Sequence, residues 1–457
     1  MKPTVPELKS WYQTHERRIL EDYIAFLKLP SISTDPAYAS DVQKTAEWVG
    51  TRLKKMGFKV DLWKTKKHPV VFATHLTDPS RPTVLIYHHY DVQPVDPLEK
   101  WKSPPFEPVI KDGYVYARGA SDNKGQCFAT LTALQAVFDL CKKVDLNIKL
   151  FIEGEEECGS EGALQMVHEK KEALKADYLL IVDAGFPAAD IPAITIGLRG
   201  IVALEVKCRN SKIDLHSGIH GGIALNPNRA LIELLAQLWD ASGKVAVPGF
   251  YDQVATPSKE ELKEVFQEVD LNYLKKQFGL KAFRGEGSYS LWESNAIRPT
   301  LEINGISGGY AGAGFKTVIP AEAVAKISCR LVPNQDPQKI AHLIEQFLKK
   351  RAPKGIELEV THDHGGRPVR TSPKTKLAQL CADAYAEVCE KPCQKIFCGA
   401  SIPLVADLAE AAKGEVAMIG VGLDSDDIHA PNEHFGLGQL QTGFLAMGRI
   451  LGRLSAC

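Results

Sequence analysis

Apolar residues recur at helical spacing from Pro6 to Leu29 (Leu8, Trp11, Tyr12, Ile19, Leu20, Tyr23, Ile24, Leu27) and again from Val42 to Met56. The spacing predicts two amphipathic helices, the second stopped by Gly57. The period then changes. Short continuous apolar runs at Val70–His75, Thr83–Asp91, Asn147–Ile152, Ala176–Asp183 and Glu415–Gly422 predict buried strands. A hairpin is expected to turn at Asp112-Gly113, and a long apolar helix is expected over Cys127–Leu140. Strands alternating with helices predict an α/β domain with a mostly parallel sheet flanked by helices. Between Gly200 and Ser372 the pattern differs. A half-exposed strand at Ile201–Arg209 is followed by helices at Ala230–Trp239 and Lys259–Gln277, and then by strands at Thr300–Ile303 and Ala323–Leu331. A helix at Pro337–Arg351 and a strand at Ile356–Val360 complete an α+β pattern, read as an inserted domain. The expected division is 1–199 and 374–457 for the first domain and 200–373 for the insert.

Ionisable residues collect where the apolar runs end. Thr83–Ile86 leads into His88-His89-Tyr90-Asp91, and Asn147–Ile152 into Glu153-Gly154-Glu155-Glu156-Glu157. Ala176–Val182 ends in Asp183, and the Glu415–Gly422 run is followed by His429. In open α/β sheets the ligand crevice lies at the carboxyl ends of the strands. Residues two apart in a strand share a face, so His89 and Asp91 point one way and His88 the other. A carboxylate beside an imidazole can fix its orientation and raise its basicity. Each residue also has a plain structural explanation: His89 can cap a loop, Asp122 can cap the helix that follows it, and the four glutamates can be a solvated acidic loop. Taken together they place two histidines and several carboxylates at one sheet edge, a ligand set suited to a pair of divalent ions. Such a pair serves hydrolytic displacement.

A chain of 457 residues exceeds the size at which single cores stop growing, which agrees with two domains. A formal net charge of −1, with no basic cluster interleaved with aromatics, excludes an electrostatic nucleic-acid binder. No apolar run reaches membrane-spanning length, and the first residues lack the apolar core of a secretory signal. The ten cysteines are scattered without CxxC pairs and read mostly as buried thiols; cytoplasmic residence is the expectation.

Three stretches carry a resemblance: His89-Tyr90-Asp91-Val92-Gln93-Pro94, Gly119-Ala120-Ser121-Asp122-Asn123-Lys124-Gly125 and Glu156-Glu157-Cys158-Gly159-Ser160. They resemble the signature motifs of the di-zinc exopeptidases, the family of carboxypeptidase G, acetylornithine deacetylase and aminoacylase. Asp214-Leu215-His216-Ser217-Gly218, Lys316–Pro320, Arg330–Asn334 and Ser401-Ile402-Pro403 are similar to its dipeptidase branch, that of the carnosine and cytosolic nonspecific dipeptidases. The resemblance implies a metal-dependent dipeptidase acting on short unblocked peptides; an N-acyl amino acid hydrolase of the same family is the alternative. A catalytically inactive binding protein on this fold would be expected to have lost Glu156 or a ligand. The resemblance further implies two divalent ions per subunit, zinc first, with manganese or cobalt also able to serve. Asp122 would bridge the ions, with His89 and Asp183 on one and Glu157 and His429 on the other. Asp91 would orient His89, and Glu156 would be the general base acting on the water between the ions. The insert would act as lid and dimerisation domain, making a homodimer with His216 contributed in trans. Arg330 would grip the substrate carboxylate, and Thr317 and Ser401 would be further substrate contacts. Two departures stand out: His88 replaces the family's usual glycine, and Phe397-Cys398-Gly399-Ala400-Ser401 replaces Arg-Glu-Gly-Gly-Ser.

Overall fold

The first helix, Val5–Leu27, opens with a reciprocal cap: Thr4 accepts from the Glu7 N–H while Glu7 accepts from the Thr4 N–H. The second runs Ala39–Lys55 and ends before Gly57, whose φ of 88° takes the chain out of the helix. The computed structural model describes residues 2–455. The chain forms two compact units: Met1–Ile196, Thr371–Ile396 and Leu404–Cys457 make the first, and Gly197–Arg370 with Phe397–Pro403 the second. The short segment 397–403 therefore leaves the stretch expected for the first domain and packs with the second.

The first unit is α/β. Asn147–Glu153, Thr83–His89, Tyr178–Gly185 and Glu415–Gly422 lie side by side and run parallel. Lys59–Trp63 and Val70–His75 continue the sheet antiparallel beside Asn147–Glu153, and Ala193–Leu198 pairs antiparallel with Glu415–Gly422. The central strands are buried almost throughout, as continuous apolar runs require. The helix Lys124–Leu140 is buried nearly all round and packs against the C-terminal helix Leu437–Leu454. A small sheet joins Val109–Lys111, Tyr114–Tyr116 and His434–Gly436, and its hairpin turns at Asp112 and Gly113, both at positive φ.

The second unit is α+β. Its four-stranded antiparallel sheet has the order Thr300–Ser307, Glu322–Leu331, Gly200–Arg209, Glu357–Gly366. One face packs on the helices Pro227–Ala236 and Pro337–Arg351 through Val202, Leu204, Leu231, Leu234, Ile327 and Ile344. The single helix expected over Lys259–Gln277 is two, Lys259–Lys263 and Leu271–Phe278. Asp270 breaks it by accepting from the Asn272 and Tyr273 N–H groups, an N-cap role that the continuous period concealed.

Candidate metal centre

Five chain segments of the first unit converge at the carboxyl ends of its parallel strands. Thr83–His89 delivers His89, whose side chain is 1% exposed. Its Nε2 lies 3.1 Å from Asp122 Oδ1 and 3.6 Å from Asp183 Oδ1. On the far side of Asp122, His429 Nε2 lies 2.9 Å from Asp122 Oδ2 and 3.4 Å from Glu157 Oε2. The result is two groups of three potential ligands, His89/Asp122/Asp183 and Asp122/Glu157/His429, with Asp122 common to both. Glu156 adjoins the second group through the chain, in the turn Glu156–Cys158.

The supports are local. His89 Nδ1 faces the Asp91 carbonyl oxygen at 3.1 Å and the Asp91 carboxylate at 3.4 Å, acceptors only, so Nδ1 carries the proton and Nε2 is turned to the cluster. The fully buried Asp91 carboxylate also accepts from the backbone N–H groups of Glu156 (3.3 Å) and Glu157 (3.0 Å), tying the acidic turn to His89. Gln93 donates to Glu157 Oε2 at 2.6 Å. Gly119, at φ 80°, lets the next segment pass against Val92: a Cβ there would sit 2.6 Å from Val92 Cγ1.

One supporting residue carries no signal in the sequence. Glu433, fully buried, accepts from the N–H groups of Gly119 (2.8 Å), Ser121 (2.9 Å) and Asp122 (3.0 Å) and from Arg118 Nη1 (2.8 Å). It locks the Asp122 turn to the loop bearing His429. Only a chain-distant pairing reveals it. Asp122 is not the helix cap; Asn123 holds that position. His434, unassigned in the sequence, lies within ring contact of Tyr114 and Tyr116 and serves the small sheet.

The electrostatics suit the binding of cations. Burial pushes Glu156 well above the usual carboxylate range, and Asp183, Asp122 and Asp91 push it further, against the pull of His89. Glu157 is raised by burial, then by Asp122 and Glu156. Burial also raises Asp183. For Asp122 burial is outweighed by hydrogen bonds from His429 and His89, and its carboxyl is held low. Burial opposes charging His89, yet Asp183, Asp122 and Asp91 overcome it and lift the imidazole well above its ordinary value. A divalent ion would take over the neutralisation that protons otherwise provide. The fit extends to a waiting donor: Glu157 Oε1 is buried without a hydrogen-bond partner. Imidazole and carboxylate oxygens form a donor set for borderline divalent cations.

The other four candidates lie in the second unit. His216 sits in the two-residue strand Leu215–His216, its Nδ1 accepting from the Gly218 N–H at 3.0 Å, and Val318 pairs with it across the ladder. Thr317 precedes Val318, and its carbonyl accepts from the Ser217 N–H at 3.0 Å. Arg330, half-buried in Glu322–Leu331, is close enough to Arg199 for the two charges to oppose each other. Ser401 Oγ is buried without a hydrogen-bond partner. In the departing segment, Phe397 packs its ring beneath the Arg370 guanidinium, 5.3 Å from the centroid.

Residues 85–453 match the model of peptidase family M20/M25/M40. The Beta-Ala-His dipeptidase of Rattus norvegicus is 30% identical over 94% of this chain and 91% of that protein. The Cys-Gly metallodipeptidase dug1 of Schizosaccharomyces pombe is 28% identical over 91% of each. Among solved structures, the M20 family metallo-carboxypeptidase Sso-CP2 from Sulfolobus solfataricus superposes with a TM-score of 0.89 at 33% identity, covering 96% of this chain and 99% of that one. The family match spans both units and all five segments of the cluster, and the chain therefore belongs to peptidase family M20/M25/M40.

Proposed function

We propose that the protein is a metal-dependent dipeptidase that hydrolyses short unblocked peptides. The observation that carries this reading is the pair of three-ligand groups sharing Asp122, beside Glu156. His89 and Asp183 would hold one ion and Glu157 and His429 the other, with Asp122 between them. Bound there, divalent ions acidify water and polarise the scissile carbonyl. Zinc is the first choice for this donor set, and manganese or cobalt also suit it.

Glu156 takes the proton of the attacking water and returns it to the departing amine. A carboxyl raised by burial holds a proton closer to neutral pH than a solvated one, as that shuttle requires. Asp91 keeps His89 Nδ1 protonated and its Nε2 turned to the ion. Arg330 grips the substrate carboxylate with its planar fork, and Thr317 and the partnerless Ser401 hydroxyl add further contacts. The names of the rat and fission-yeast relatives, both dipeptidases, favour this substrate class.

The segments flanking His216 expose large apolar side chains, Ile223 at 82% and Phe315 at 96% among them. Such exposure suits a covering partner, and a second copy placing His216 in its neighbour's site is the partner proposed. The nine described cysteines are free thiols, which suits the reducing cytoplasm. Among the described residues no helix is long and apolar enough to cross a membrane.

Amino-acid release from a panel of free dipeptides and matched N-acetyl amino acids tests the reading, using metal-stripped protein with zinc and manganese restored separately. Metal-restored cleavage of the dipeptides alone is expected. Cleavage of the acetylated series alone would overturn the dipeptidase assignment.

A further inference from the structure

His88 and His89 point to opposite faces of the strand Thr83–His89. His88 faces the helix Lys124–Leu140 and is fully buried, so both ring nitrogens need partners. Nδ1 lies 2.8 Å from Asn123 Oδ1, and Nε2 lies 2.9 Å from Thr130 Oγ1. The direction of every hydrogen bond follows from the far end. Asn123 Nδ2 lies 2.9 Å from the Val182 carbonyl oxygen and 2.7 Å from Asp183 Oδ1, both acceptors, so that end of the amide is the NH₂. The other end is then a carbonyl oxygen, which only accepts, and His88 Nδ1 must carry a proton to meet it. With Nδ1 as the donor, Nε2 of the neutral ring accepts from the Thr130 hydroxyl.

The chain therefore runs one way, from Thr130 to His88 to Asn123 to Asp183, each bond polarising the next. It ends on Asp183 Oδ1, the oxygen that lies 3.6 Å from His89 Nε2. Asp183 is repelled by the Asp122 carboxylate beside it and attracted by His89, and Asn123 supplies its hydrogen bond from the other side. We infer that His88 is a positioning residue: through Asn123 it fixes the Asp183 carboxylate for an ion in the His89/Asp122/Asp183 group. An apolar core residue in its place would leave Asn123 Oδ1 buried without a donor, and the amide would lose the bond that holds its orientation. The support that Gln93 gives Glu157 shares no member with this chain, and Asp91, which links His89 to the Glu156–Glu157 turn, lies outside it as well.

The inference rests on the metal reading above, and the test separates the two. Metal-stripped protein is titrated calorimetrically with zinc and with manganese, and the melting of the stripped form is followed alongside. Binding of two ions per chain by the unaltered protein supports the metal reading; no binding overturns that reading, whatever the variants do. Given two ions, His88→Leu is expected to weaken one of them about 10-fold or more, the scale seen for groups that support metal ligands, and to leave the other within about 2-fold. His88→Asn, which keeps a donor near the Nδ1 position, is expected to restore most of the lost affinity. In an Asp183→Ala background, His88→Leu should have no further effect on the remaining ion. Equal weakening of both ions, no weakening of either, or no rescue by His88→Asn would overturn the positioning role. Should His88→Leu fail to fold, Thr130→Val interrupts the same chain one bond further out: a smaller loss confined to one ion supports the role, and an unchanged or equally shared affinity overturns it.

Discussion

The two halves of the cluster share Asp122 and differ in what stands behind it. On one side His89 is 1% exposed, its Nδ1 is held by Asp91, and Asp183 is held by Asn123. On the other His429 is 53% exposed and sits at φ 61°, a backbone region that non-glycine side chains seldom occupy. Its contacts are with Asp122 and with Glu157, whose second oxygen is buried without a partner. The first half has its geometry fixed by the fold before any ion arrives. In the second, Glu157 is buried and held by Gln93, and it is His429 that rides on a strained exposed loop, which is where openness to solvent and substrate would be expected. An ion in the first group would be held by pre-set ligands, and one in the second would lie nearer to solvent.

The largest effect expected is chemical. Glu156→Gln should lower kcat by about 10²- to 10⁴-fold, the range for losing a general base, while both ions stay bound. Steady-state kinetics together with metal analysis check this, and loss of the ions along with activity would place Glu156 among the ligands instead. Next comes the asymmetry itself. Asp183→Ala and His429→Ala should each remove one ion, and stripping of the unaltered protein by a chelator should be biphasic. The fast phase should vanish in His429→Ala and the slow phase in Asp183→Ala. A single phase, or the reverse assignment, would mean that burial does not set the difference.

The smallest effect concerns the buried half alone. Glu153 pairs in register with His89 on the neighbouring strand, and Tyr87 donates to it at 2.7 Å. Burial, then the charge of Asp91, pushes its carboxyl from 4.5 up to about 8. The folded protein thus keeps a proton that the unfolded chain releases, and Glu153 makes stability fall as pH rises from about 4.5 to about 8. Glu153→Gln removes that slope, so its melting temperature relative to the unaltered protein should climb across this window and level off above it. A constant difference at all pH values would show that Glu153 ionises normally.

Much of this arrangement could be read from residue order, for a physical reason. Strand ends are announced by the switch from apolar to ionisable residues, and alternation assigns faces, so His89, Asp91, Asp183 and the direction of His88 follow from local pattern. Asp122 and His429 are different. Each lies in a loop without periodicity, and only the joint set, with the family motifs, singles them out. Glu433 and Asn123 stayed hidden because their work is done across the fold: one gathers backbone N–H groups from a segment more than 300 residues away, the other turns its amide towards a distant strand. The helix broken at Asp270 was missed because apolar spacing says where a helix could bury a face, not whether a polar side chain will restart it. Segment 397–403 changes units without any shift in composition to mark it.

The central claim is that two ions share Asp122 in one chain. Metal content per chain after equilibrium dialysis, measured for the unaltered protein and for Asp122→Ala at matched free zinc, tests it most directly. The account predicts two ions in the first and a loss from both groups in the second, with the stripped variant still melting cooperatively. One ion in the unaltered protein, or an Asp122→Ala variant that keeps both, would contradict it.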